Sequence, residues 1–114
     1  MALFDGALMP SNDAVTGTVV DVIAGRKSAV QVFGFKLVNT SGAVAYLQMF
    51  AKPASTVVLG TTVPDGWIRL SANESLGLSL PVPITLNGTG LSFAGTTTPT
   101  GNTGAAISAT MFVA

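Results

Sequence analysis

Two carboxylates in the second half of this sequence, Asp65 and Glu74, are the side chains best suited to acid–base chemistry. If they converged, one could act as general acid and the other as general base on a glycosidic bond. Asp65 lies between a proline and a glycine, and Glu74 lies in a run rich in serine and asparagine. Such contexts are typical of turns, so we expect each carboxylate to cap a turn and assign no catalytic residue.

Trp67 lies two positions before Arg69, and this pair is the alternative candidate site. A flat indole beside a cation would offer an aromatic platform to a glycan. A single tryptophan at the start of a strand is also typical of a core anchor, because large aromatic side chains are usually buried. The sequence leaves both interpretations open.

Cysteine and histidine are both absent from the 114 residues. Their absence excludes disulfides, thiolate nucleophiles and imidazole bases, and it removes the usual zinc ligands. We therefore expect no enzyme activity, no bound metal and no cofactor. The charged residues sum to zero, and without clustered Lys and Arg there is no electrostatic basis for binding a phosphate backbone. We expect no nucleic-acid partner.

Hydrophobic residues make up 48% of the sequence, a share that would also suit a membrane protein. A spanning helix needs about 20 consecutive apolar residues, and no such run occurs in the sequence. Residues 1–6 lack the positive charge and the apolar stretch of a signal peptide. We therefore expect a chain that is made in the cytoplasm and has no membrane partner.

Apolar residues recur with a period of two through most of the chain, which predicts β-strands rather than helices. Over residues 29–38, the odd-numbered positions are predicted to face one side of a strand and the even-numbered positions the other. A second alternating run covers residues 43–51. The turn-forming residues 39–42 between these runs predict that they form an antiparallel hairpin.

Asn87-Gly88 is the strongest turn signal and predicts a second hairpin, which joins residues 84–86 to 91–94. Pro81 and Pro83 cannot donate to a β-ladder, so the strand near them is confined to an edge or a bend. Further strands are predicted at residues 16–23, 56–59, 67–70, 76–80 and 105–113.

This series of short strands indicates an all-β fold, an antiparallel β-sandwich with a jelly-roll-like topology. We assign the sandwich to one domain, residues 15–114, preceded by an extended N-terminal arm, residues 1–14. Four apolar residues of the arm have no obvious place in the sandwich, and we predict that they form an interface: Leu3, Phe4, Leu8 and Met9.

Charge is distributed unevenly, because residues 75–114 contain no charged side chain. A domain of this size leaves much apolar surface outside its core, and zero net charge removes the repulsion that keeps small domains apart. Charged residues are also depleted at the cores of interfaces. We therefore expect the C-terminal strands to be buried, inside the sandwich or against partner subunits, and we expect a homo-oligomer.

Four stretches resemble a group of small β-rich structural proteins of tailed bacteriophages: residues 33–50 (FGFKLVNTSGAVAYLQMF), 58–64 (VLGTTVP), 90–93 (GLSF) and 94–101 (AGTTTPTG). The resemblance covers residues 30–114 and consists of turn and core residues. It implies a virion structural protein, of which a capsid decoration (cement) protein is one kind and a small fibre or tail component is another.

Cement proteins typically form trimers on the outer capsid surface and clamp adjacent capsomers. The resemblance therefore implies a homotrimer with the major capsid protein as its partner, located on the outside of the virion. Residues 2–9 of the N-terminal arm would then act as a tether to capsid protein or to a neighbouring subunit. The alternative, a fibre or tail component that binds a host receptor or glycan, would use the platform of Trp67 and Arg69.

Overall fold

The computed structural model describes residues 11–15, 19–23 and 30–113 of the chain. These ranges contain eight β-strands and one short 3-10 helix. No helix within them is long and apolar enough to cross a bilayer. The strands are β1 (Ser11–Val15), β2 (Val20–Ile23), β3 (Val30–Asn39), β4 (Ala45–Phe50), β5 (Gly66–Leu70), β6 (Ser75–Leu86), β7 (Leu91–Thr96) and β8 (Ile107–Val113), with the 3-10 helix at Ala54–Thr56.

The strands form two four-stranded sheets in which every pairing is antiparallel. Sheet A has the order β1-β8-β3-β6, and sheet B has the order β2-β7-β4-β5. The prediction of an all-β antiparallel fold is therefore confirmed. Consecutive strands mostly lie in different sheets, so the chain repeatedly crosses from one sheet to the other.

Both sheets contribute to one hydrophobic core. Sheet A provides side chains from β3 and β8, and sheet B provides side chains from β4, β5 and β7. The fully buried apolar members include Val30, Val32, Leu37, Ala45, Leu47, Leu70, Leu91, Phe93, Ile107, Ala109 and Met111. Each large side chain in such a core stabilises the fold by about 1.5–3 kcal/mol relative to an exposed position.

The uncharged C-terminal strands differ in burial. All six residues of β7 are buried, and buried residues alternate with half-buried ones in β8. By contrast, β6 is an edge strand of sheet A, and most of its residues are exposed. Burial within the chain is therefore observed for β7 and for one face of β8, whereas β6 is mostly exposed in the single chain and its burial against partner subunits stays a prediction.

A bulge in β3 changes which residues face the core. In the first part of the strand the buried apolar residues have even numbers, Val30 and Val32, whereas further along they have odd numbers, Phe35 and Leu37. The register of β3 with both of its neighbours shifts between Val32 and Gly34. An extra residue in a strand inverts the alternation beyond it, so the strict alternation predicted over residues 29–38 is wrong.

Pro81 and Pro83 lie at the same irregularity, on the partner strand β6. Ser79 of β6 is paired with Gly34, and Ile84 is paired with Val32, so residues 80–83 bulge out of the ladder. Because Pro81 and Pro83 lack an N–H, a bulge on an edge strand suits them. This position confirms the prediction of an edge or bend, and the two predicted strands 76–80 and 84–86 are one continuous strand.

The first predicted hairpin is wrong, because β3 and β4 lie in different sheets. Among the described residues other than glycine, Asn73 is the one with a positive φ, at 58°, so Asn39 does not adopt a left-handed turn conformation. Asn39 is instead fully buried at the end of β3, and its side-chain Nδ2 donates to the carbonyl oxygens of Ala43 at 2.7 Å and Ser71 at 2.9 Å. The segment after β3 is thus fixed as a crossover.

The second predicted hairpin is wrong for a related reason, since β6 belongs to sheet A and β7 to sheet B. Gly88 packs directly against the carbonyl of Ala51, where a Cβ would overlap that group. The glycine therefore permits a close approach of two backbones rather than a tight two-residue turn.

The predicted strand at residues 56–59 is replaced by a 3-10 helix and a turn. The backbone N–H groups of Thr56 and Val57 donate to Pro53 and Ala54 at 3.0 and 3.1 Å. Thr62 then closes the following turn with a backbone bond to the carbonyl of Val58 at 2.8 Å. These local bonds, together with Gly60 at φ +86°, use backbone groups that a strand would offer to a neighbour.

Candidate functional site

The two candidate carboxylates do not converge. Asp65 immediately precedes β5 and Glu74 follows its end, so the five residues of that strand separate them by about 16 Å. Glu74 Oε1 accepts a hydrogen bond from the backbone N–H of Ser71 at 2.7 Å, which confirms the predicted turn cap. Asp65 Oδ2 accepts one from the backbone N–H of Ala51 at 2.7 Å and so closes the segment between β4 and β5.

Asp21 is used in the same way, because its Oδ1 accepts the backbone N–H of Ala54 at 2.7 Å. Each of the three carboxylates described in detail is thus bonded to the main chain. Within the described ranges no three acidic side chains form a group that could hold a metal ion.

Trp67 is on the surface rather than in the core, with 50% of its side chain exposed. Its neighbour Ile68 packs against the core and Leu70 is fully buried, so Trp67 and Arg69 share the outer face of β5. The interpretation of Trp67 as a core anchor is therefore wrong. The pair predicted as an alternative site is brought together on one exposed face.

Tyr46 is a third member of this face that the sequence analysis did not identify. It lies directly opposite Arg69 in the β4–β5 ladder, and its ring packs edge-on against the indole of Trp67. The ring centroids are 5.5 Å apart and the planes are inclined by 76°. We call Tyr46, Trp67 and Arg69 the aromatic face.

The guanidinium of Arg69 has few hydrogen-bond acceptors around it in the described part of the chain. Its Nη1 donates to Ser71 Oγ at 3.4 Å, which is a long hydrogen bond. No described carboxylate forms an ion pair with it; the acceptors nearest in the chain, on Asp65 and Glu74, are bonded to backbone N–H groups. The guanidinium is therefore available to an external anion.

Gln48 lies beside the aromatic face on the neighbouring strand β4. It lies opposite Trp67, is fully buried, and donates from Nε2 to Thr96 Oγ1 at 2.8 Å and to the carbonyl of Gly101 at 3.0 Å. These bonds fix the segment that follows β7 over the outer face of sheet B. Gln48 Oε1 has no hydrogen-bond partner among the described residues.

A second surface lies along edge strand β6. Leu78 is paired with Phe35 and Ile84 with Val32, so both point to the core side of sheet A, yet they are 46% and 39% exposed. Val82, in the bulge between them, is 75% exposed. We call Leu78, Val82 and Ile84 the β6 edge.

An open groove of about 330 Å³ adjoins the β6 edge. Residues of the three adjacent strands β8, β3 and β6 line it: Phe35, Lys36, Ser75, Gly77, Leu78, Ser79 and Phe112. Lys36 is the one charged side chain in the lining of this groove. The exposed apolar side chains of β6 thus have one charged side chain, Lys36, in the groove beside them.

The predicted interface residues Leu3, Phe4, Leu8 and Met9 lie outside the described residues, and their role stays a prediction. Residues 11–14, which we assigned to the arm, are part of β1 and pair with β8: Ser11 is opposite Thr110.

Comparisons with protein-family models, with curated proteins and with solved structures found no match to the chain.

Proposed function

We propose that the chain is a non-enzymatic virion structural protein, a capsid cement subunit that stabilises a phage head by binding across capsomers. It would act on the outer capsid surface as a homotrimer, with the major capsid protein as its partner. The proposal starts from the sequence resemblance, and the surface along β6 is the structural observation that supports it.

The β6 edge exposes side chains on the core side of a sheet. Leu78 and Ile84 have the orientation of core residues, but nothing in the described chain covers them fully. An exposed edge strand of twelve residues also presents unpaired backbone groups, and β6 carries no charge that would discourage pairing. A permanent partner at this edge would bury apolar surface and complete the core, as obligate interfaces do.

The strand order supports the description of the fold as a jelly roll. The orders β1-β8-β3-β6 and β2-β7-β4-β5 are compatible with an eight-stranded jelly roll, in which the chain alternates between two packed sheets. We therefore propose a jelly-roll β-sandwich that follows an N-terminal arm. Viral capsid and lectin domains use this architecture, and that correspondence is an analogy of fold rather than of site.

The hydrogen bonds of the carboxylates also support a function through binding to other proteins rather than through catalysis. Asp21, Asp65 and Glu74 each accept a backbone N–H, so these groups stabilise connections between strands. A general acid or base would need a carboxyl group that points at a substrate.

A second candidate function is a small fibre or tail component that binds a receptor or glycan. The observation in its favour is the half-exposed Trp67 beside Arg69. It concerns the outer face of sheet B, whereas the cement proposal concerns the β6 edge of sheet A, so separate variants distinguish the two.

The cement proposal is tested by adding one charge to the β6 edge. We expect the purified chain to show three times its 11.5 kDa mass in light scattering and to co-sediment with phage heads that lack it. Val82→Lys should abolish both, because it places a charge in an apolar contact.

Val63→Lys is the matched control, because Val63 is 80% exposed and lies in the segment that connects β4 to β5, both strands of sheet B. It should keep the native mass and the binding to heads. A stable wild-type monomer without affinity for heads would contradict the proposal, as would equal behaviour of the two variants.

A further inference from the structure

We infer that the aromatic face binds a carboxylated saccharide, with the sugar ring on Trp67 and the carboxylate on Arg69. The inference rests on the second candidate function and specifies its ligand, and it does not depend on the cement role. Three observations carry it: the pairing of the aromatic rings, the free guanidinium, and the spacing between them.

The single tryptophan and the single tyrosine of the chain are in contact with each other on this face. The edge-on contact at 5.5 Å is a favourable geometry for two aromatic rings and fixes the orientation of the indole. Half of the Trp67 side chain nevertheless remains exposed. An oriented, half-exposed indole provides the flat apolar surface against which the C–H face of a sugar ring packs.

The positive charge of the Arg69 guanidinium favours a ligand that carries a negative charge. Residues two apart in a strand have Cα atoms about 6.6 Å apart and side chains on the same face, so the indole and the cation are neighbours on the outer face of β5. Arginine recognises a carboxylate through two parallel N–H···O bonds. A uronic or sialic acid carries both features in one residue, a flat C–H face and a carboxylate attached to its ring.

The surroundings favour a sugar over a protein partner. A stable protein interface needs about 800 Å² on each partner, with an apolar centre surrounded by further contacts. Beside Trp67, the buried Gln48 is covered by the segment after β7, and the apolar side chains of the β6 edge belong to the other sheet. A saccharide, by contrast, requires one ring and a few polar groups.

The position of Trp67 makes the site directly observable, because the intrinsic indole fluorescence of the chain comes from this residue alone. We would titrate the full chain with trigalacturonic acid and, separately, with sialyllactose, so that uronic and sialic acids are distinguished. The methyl ester of trigalacturonic acid and lactose are the matched uncharged ligands. Acetate is the control for a carboxylate without a sugar ring.

We expect saturable fluorescence changes with at least one of the acidic sugars and binding at least about tenfold weaker for its uncharged counterpart, since one charge-assisted contact is lost. Arg69→Gln should remove this difference. Lys36→Gln makes the same change of charge at an exposed position of β3, in sheet A, and should leave the affinity unchanged. Trp67→Ala, followed by calorimetry, should abolish binding.

Absence of a saturable change with both acidic sugars up to about 10 mM would overturn this inference, and the same absence with the uncharged sugars as well would contradict the glycan-binding alternative too. Equal affinities for charged and uncharged sugars would overturn the inference and leave that alternative standing. Loss of head binding by Trp67→Ala, without any sugar binding by the wild type, would instead identify the face as a protein contact and overturn it.

Discussion

Asn39 shows how one buried amide can define a connection between two sheets. Its Oδ1 accepts the backbone N–H of Ser41 at 3.0 Å, while its Nδ2 donates to carbonyl oxygens of Ala43 and Ser71. The side chain therefore joins the end of β3 to the crossover and to the turn after β5. Buried carbonyl groups that lose such a donor are costly, because water cannot replace it.

Asn39→Ala should lower the free energy of unfolding by about 3 kcal/mol, since it removes several hydrogen bonds and leaves buried polar groups without partners. Urea denaturation followed by circular dichroism measures this change. The neighbouring Thr40 is exposed, so Thr40→Ala is the control and should change the stability by less than about 1 kcal/mol. Equal effects of the two substitutions would contradict the role assigned to Asn39.

At the scale of single residues, the sequence identified Trp67 and Arg69 as a pair because two positions along a strand share a face. It did not identify Tyr46, because that residue reaches Trp67 only through the pairing of β4 with β5 across the intervening segment. The exposure of Trp67 could not be predicted either, because an alternating pattern does not show which face of a strand is covered by the rest of the protein.

At the scale of elements, the bulge in β3 depends on the absence of a side chain at Gly34. A Cβ built there would lie 2.7 Å from the carbonyl oxygen of Leu78, which is backbone and has little freedom to move. The aromatic ring of Phe112 is 3.6 Å away on the adjacent strand. The bulge therefore brings the two neighbouring strands too close for a larger residue.

Gly34→Ala should destabilise the protein by about 2 kcal/mol, because the added methyl group forces the β3–β6 pairing apart. Gly77→Ala is the matched control in the same ladder, where an added Cβ meets nothing within 4 Å. The control should be neutral or stabilising by about 0.5 kcal/mol, since alanine restricts the unfolded chain. Thermal unfolding of both variants provides the comparison, and equal losses of stability would exclude the proposed close approach.

Most strands could be located from the sequence, whereas their pairing could not. Alternation is a local property, so the positions of β4, β5 and β8 were close to those predicted. Pairing depends on contacts distant in sequence, and residues 39–42 and Asn87-Gly88 look the same whether the chain reverses within one sheet or crosses to the other. The bulge at Gly34 was hidden because it interrupts the period without a proline in that strand.

At the scale of the whole molecule, charge and apolar surface are separated. The described carboxylates are bonded to the backbone in the segments that connect strands, while sheet A presents an edge of Leu78, Val82 and Ile84 without any acidic neighbour on β6. A monomer with such an edge would tend to associate through it. The uncharged C-terminal part thus includes both a buried strand, β7, and an exposed one, β6.

The most direct test of the cement proposal is a cryo-electron microscopy reconstruction of intact phage particles that contain the chain. The account predicts that the protein lies on the outer surface of the head as a trimer, with the β6 edge buried against capsid protein or a neighbouring copy. A reconstruction that places the chain away from the head, or on the head with the β6 edge facing solvent, would contradict it.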